Sequence, residues 1–180
     1  DAQESRGLGD VYKRQIGMGF ALFASNVTFP QLLEGPTASG AGFGLDMVSA
    51  ALVIMPAGLV MMVISPLSGW LERTVGPRPL FSVGAAAIVL AYVFVLLWSS
   101  EVWHILVGNL LIGVGIGFTF AAMPMIIMRS VPANETGASN GLNALFRSIG
   151  TSSASAVMGG VLAAMSIDVG GVSVLSLIHI

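Results

Sequence analysis

The sequence predicts an all-α membrane protein, a polytopic bundle of five transmembrane helices. Three observations predict it. Hydrophobic residues make up 55% of the 180-residue chain and charged residues only 9%, against about 25% charged in a soluble domain. So few charges cannot coat a globule for water, and lipid is the solvent that fits. Apolar stretches near the roughly 20 residues that cross a bilayer recur five times. The joints between them are short, and the basic residues fall in alternate joints.

Both ends stand apart from this pattern. Asp1–Gln15 (DAQESRGLGDVYKRQ) holds six of the 16 charged residues, and the composition changes abruptly at Ile16. GDVYKRQ and the terminal SLIHI of Ser176–Ile180 resemble translated sequencing adapter. Residues 1–15 and 174–180 are therefore expected to be non-native tails around a partial transmembrane domain at 16–173.

The spans follow in order. The first is expected at about 16–33 and carries Asn26 and Thr28. The second, at 46–68, starts at Asp46, a side chain suited to capping a helix N-terminus. Pro56 near its middle removes a backbone donor and is expected to bend it. The third, at about 80–98, is uniformly bulky from Ile88 to Leu97 apart from Tyr92, as suits a lipid-facing helix. The fourth, at 103–127, holds Asn109, Gly113, Gly117 and Ala121 at every fourth position. The fifth, at about 138–165, has a longer row of the same kind: Ala144, Ser148, Ser152, Ala156, Gly160 and Ala164. Rows of small residues let helix backbones approach where lipid removes the hydrophobic drive. Spans four and five therefore read as packed interior helices and span three as peripheral. An odd number of spans also suggests that helices are missing on both sides.

Orientation comes from three arginines. Arg73 and Arg78 lie in the joint after span two, and Arg129 lies in the joint after span four. The joints at 34–45 and 99–102 have no Lys or Arg. The positive-inside rule puts the arginine joints in the cytoplasm. Trp98, Trp103 and His104 then gather at the outer interface.

Several function classes drop out. A net charge of −2 offers no basic patch for nucleic acid. The absence of cysteine excludes disulfides and thiolate chemistry. No cluster of His, Asp or Glu points to a metal site, a cofactor or intramembrane catalysis. Polar residues inside spans remain as candidates for a cavity or gate: Asn26, Thr28, Asn109, Asn143 and Arg147, with Pro56 as the bend. For the asparagines and threonines the ordinary role is hydrogen bonding between or along helices. Arg147 either snorkels to the cytoplasmic interface or meets a buried partner.

The joint after span two reads Gly69-Trp70-Leu71-Glu72-Arg73-Thr74-Val75-Gly76-Pro77-Arg78. It resembles the signature loop of the major facilitator superfamily in its weaker second copy, between the eighth and ninth helices. Gly69, Leu71, Gly76 and Arg78 match in spacing. The usual aspartate position holds Arg73, with the acid displaced to Glu72. Phe29–Leu33 with Gly40–Leu45 resembles the end of the seventh helix and its outer loop. Met55–Leu59 resembles the eighth helix, and Gly137–Gly150 resembles the start of the eleventh in the drug:proton antiporter branch. The resemblance implies the C-terminal half, helices seven to eleven, of a 12- or 14-helix transporter in the bacterial inner membrane. It implies small-molecule efflux by alternating access, with protons as the coupling ion and the N-terminal half of the same chain as partner. Uptake by symport is the alternative. By resemblance, the Gly69–Arg78 loop braces the cytoplasmic side, and Asn26, Asn109, Asn143 and Arg147 lie near the cavity or inner gate.

Overall fold

The computed structural model describes residues 2–37, 42–129, 131, 133–169 and 172–175. Gly40 and Ala41 of the outer-loop resemblance, and the terminal Ser176–Ile180, lie outside them. Five helices form in chain order: α1 Ala2–Glu34, α2 Met47–Val75, α3 Pro77–Leu97, α4 Val102–Met128 and α5 Thr136–Met165. A 3₁₀ turn at Ala133–Glu135 precedes α5. Two short strands, β1 Ser166–Val169 and β2 Val172–Leu175, form an antiparallel hairpin beyond it. The all-α reading did not include this hairpin.

Among the described residues four helices are long and apolar enough to cross a membrane: Tyr12–Glu34, Met47–Val75, Pro77–Leu97 and Val102–Met128. With 30 residues, α5 has the length, but Gly, Ser, Thr and Asn dilute its apolar content. It joins the bundle by packing along α1. The first helix also reaches back through residues 2–15 without a break.

Local chemistry sets the helix ends. Asp46 caps α2: its carboxylate accepts from the Val48 and Ser49 amides at 3.2 and 3.3 Å and from the Ser49 hydroxyl at 2.6 Å. Those bonds, the Ser49 hydroxyl first, hold its pKa below the usual 3.8. The cap is therefore intact above that value and is lost as acid protonates the carboxylate. Gly76 separates α2 from α3 with φ +83°, the left-handed region that glycine enters freely. Its amide donates to the Glu72 carbonyl at 2.9 Å, and Pro77, with φ preset for a first turn, starts α3. What the sequence reads as a ten-residue joint is thus the last two turns of α2, one glycine and the start of α3. The helix also continues through Pro56 and Pro66.

The bundle is organised around α4. One face packs on α2: a Cβ on Gly113 would stand 2.6 Å from the Ala57 carbonyl oxygen, and one on Gly117 would stand 2.7 Å from the Ile64 side chain. Asn109 Nδ2 donates to the Ile54 carbonyl at 3.0 Å on the same seam. The expected small-residue row of span four is therefore a contact surface. A second row, Gly108, Gly115 and Thr119, turns the opposite face to α3. There the backbones of Gly84 and Gly115 meet, and a Cβ on either would lie 2.7 or 2.6 Å from the other's carbonyl oxygen. Thr119 satisfies its own hydroxyl by bonding back to Gly115 and Ile116.

The fifth helix packs on α1 through a different face from the one expected. Ala144, Ser148, Ser152, Ala156, Gly160 and Ala164 are all exposed, whereas Asn143, Gly150 and Ala154 are buried. A strict four-residue row drifts about 40° per step around a helix of 3.6 residues per turn. Over five steps it leaves any one seam. Contact follows mixed steps of four and three through 143, 147, 150, 154 and 158. Backbone meets backbone here too: Gly19 lies against the Arg147 carbonyl and Gly150 against that of Ile16.

The outer face of α3 is exposed, as expected of a peripheral helix: Val89, Leu90, Val93, Leu96 and Leu97 pack on nothing. Its inner edge, Leu80, Phe81, Gly84, Ile88 and Ala91, is buried. Tyr92 reaches across to α1 and donates to the Ala21 carbonyl at 2.8 Å. Tyr92→Phe should lower resistance to SDS unfolding by about 0.6 kcal/mol, the average for such bonds in membrane proteins. At the far end of α3 and α4, the Trp103 and His104 rings stack at 3.9 Å, and Trp103 Nε1 donates to Glu101 at 2.8 Å.

Candidate functional site

The sequence candidates separate into two places. Gly69, Glu72 and Arg73 line a cleft of 510 Å³ between the ends of α2 and α4, with Pro66, Trp70, Met125 and Arg129. Gly76 and Arg78 line a neighbouring cleft of 330 Å³, which shares Arg129. The two clefts flank the Gly76 break, so the motif presents its polar groups from helix ends held by α4. Leu71 turns inward and packs against the core.

The acid of this motif is enclosed. Among the described residues, Glu72, 5% exposed, has no hydrogen-bond donor to its Oε1. One turn earlier Ser68 is fully buried, and among the same residues its Oγ also lacks a partner. Positions 68 and 72 share a helix face, so two unsatisfied polar atoms lie side by side. Buried polar groups nearly always find partners, which makes this pair unusual. Around it stand the exposed cations Arg73 and Arg129. Arg129 and Ser68 were not singled out as site residues from the sequence. Arg129 served there only to orient the chain, and a serine inside an apolar helix is ordinarily satisfied by its own backbone.

The second place lies within the bundle. Arg147 on α5 is half-buried, and its guanidinium sits over the Phe120 ring of α4 at 5.2 Å from the centroid. Side chains lean toward the N-terminus of their helix, which directs Arg147 back toward the end where the other arginines lie. One turn before it, Asn143 is 8% exposed with Oδ1 buried and unpartnered. Nothing in the sequence pointed to Phe120, since an aromatic in an apolar span reads as core.

The remaining candidates do not join either place. Asn26 is exposed and bonds back to the Leu22 carbonyl at 2.9 Å. Thr28 and Pro56 are half-buried, and Asn109 is taken up by the α2–α4 seam.

The model of the Major Facilitator Superfamily matches residues 3–155, most of the chain. The chain belongs to this superfamily. Among curated proteins, 115 residues are 31% identical to the Multidrug resistance protein Stp of Mycobacterium tuberculosis, covering 63% of this chain and 21% of that protein. A similar stretch is 30% identical to the uncharacterized MFS-type transporter YhcA of Bacillus subtilis, covering 61% and 22%. The matched part thus spans about a fifth of the length of these relatives. No solved structure matches. Membership makes this an integral membrane protein of a transporter family rather than an enzyme family, and its apolar helices are membrane spans of a superfamily bundle.

Proposed function

We propose that this chain supplies helices seven to eleven of a secondary transporter that expels amphipathic, drug-like molecules in exchange for protons. Its setting is the bacterial inner membrane, and an N-terminal half of the same protein forms the facing wall of the cavity. The superfamily match over residues 3–155 carries the reading, and the likeness to a multidrug resistance protein of Mycobacterium favours efflux over uptake. In such proteins one bundle rocks against another around a midplane site. The motif at Gly69–Arg78 would brace the arginine-rich end, with Gly76 fixing the angle between α2 and α3.

The test uses a full-length transporter carrying this sequence, reconstituted into proteoliposomes with an acidic interior. Antiport predicts that adding an amphipathic solute, tested as ethidium and as dansylglycine, releases protons from the vesicles. Proton entry accompanying the solute would instead establish symport, and absence of any coupled flux would refute both. Gly76→Val should cut the flux at least about fivefold with membrane insertion intact, because a β-branched residue cannot hold φ +83° without strain. Unchanged flux would remove the bracing role.

A further inference from the structure

The geometry points to Arg147 and Asn143 as a binding site for a carboxyl group, and thus to carboxylic-acid amphipaths as the substrate class. The site rests on the transporter reading above for its access to solvent. Arg147 follows Thr136 by 11 positions, about 16 Å along the helix, and even with its side chain leaning toward the helix start it lies within a hydrocarbon core of about 30 Å on the transporter reading. A guanidinium at that depth needs an anion or a dipole. Among the described residues it meets no carboxylate, only the Phe120 ring. A ring face offsets part of the burial but leaves the planar fork of N–H donors open.

Asn143 offers the complementary deficiency. Its buried Oδ1 is an acceptor with no donor, on the same helix face one turn away. The helix cannot turn to relieve either group, because the Arg147 carbonyl is seated against Gly19 and Gly150 against Ile16. A carboxyl group suits both. When ionised, its two oxygens match the guanidinium fork, and the Asn143 amide meets them by turning its Nδ2 donors inward. When protonated, its carbonyl accepts from Arg147 and its hydroxyl donates to Asn143 Oδ1. Phe120 supplies an apolar wall for the body of the molecule. The spans of this chain contain no acid at this depth that would attract a cation instead.

The carboxyl could come from a substrate or from another segment of the transporter, and one experiment separates them. The full-length transporter carrying this sequence is titrated in detergent with dansylglycine and with its neutral twin, dansylglycinamide. The acid should bind about tenfold more tightly than the amide, in line with a charge-assisted hydrogen bond. Arg147→Gln should erase that preference, with an unaltered melting temperature reporting a folded protein. Arg147→Lys should keep part of it, and Asn143→Ala should weaken acid binding by a few-fold. The alanine variant reads the same site if the glutamine variant does not fold. Equal binding of acid and amide by the unaltered protein overturns the proposal. A lowered melting temperature for Arg147→Gln without any acid preference also overturns it, and assigns the guanidinium to a carboxylate within the chain. Dansylglycine binding without transport would sink the transporter reading and leave the site. Transport without acid preference would do the reverse.

Discussion

Gly115→Leu is expected to prevent α3 from seating on α4, and with it the folding of the 180-residue chain in detergent. The residue faces the Gly84 backbone, where even a Cβ would come within 2.6 Å of a carbonyl oxygen. A side chain can change rotamer to make room, but a backbone carbonyl in a helix cannot. Lipid-exposed helices also gain little from apolar burial, so loss of close contact removes most of what holds the pair together. Gly115→Ala alone should cost about 1–3 kcal/mol in an SDS titration, the usual range for overpacking. The leucine variant should yield no monodisperse peak on size-exclusion chromatography. Gly159 is the control, since a Cβ there meets nothing within 4 Å. If Gly159→Leu and Gly115→Leu behave alike, the packing argument fails.

The second large effect has the opposite sign. Glu72→Met should make the same chain more resistant to unfolding, by about 1–3 kcal/mol. Removing a buried polar group that has no partner recovers its desolvation cost, and apolar side chains of similar volume often stabilise when they replace buried charge. If the motif braces the transporter as proposed, the full-length protein should respond differently and lose flux. An exposed neighbour, Arg73→Ala, should change stability by no more than about 0.5 kcal/mol. A destabilised Glu72→Met chain would mean that the carboxylate has a strong partner after all.

Much of the bundle was legible in the residues. Hydropathy located α3, α4 and the start of α2 to within a few positions, because apolar length is the strongest signal a membrane chain carries. Asp46 announced the start of α2, and the row from Asn109 to Gly117 identified the face that meets α2. Three features escaped for physical reasons. Polar residues at the end of α2 read as a loop, yet Trp70, Leu71 and Glu72 hold the helix until Gly76 breaks it. The row on α5 was read at a period of four, which drifts off the seam that 3.6 residues per turn maintains. The contact between Gly84 and Gly115 depends on which helices become neighbours, and no single span encodes that. Of the candidate residues, Glu72 and Asn143 are buried and Arg147 is half-buried, whereas the sequence offered Glu72 only as part of a loop motif. Their unsatisfied atoms, and the roles of Ser68, Phe120 and Arg129, required the third dimension.

One consequence of the glycines on both sides of α4 concerns motion. Spinning this helix by one residue, about 100°, would drive Val114 or Phe118 into a neighbour's main chain. Axial rotation is therefore locked, while inclination is not. Over its 27 residues, about 40 Å, α4 can act as a stiff lever. Tilting the end beside Arg129 would then swing the tryptophan end with it.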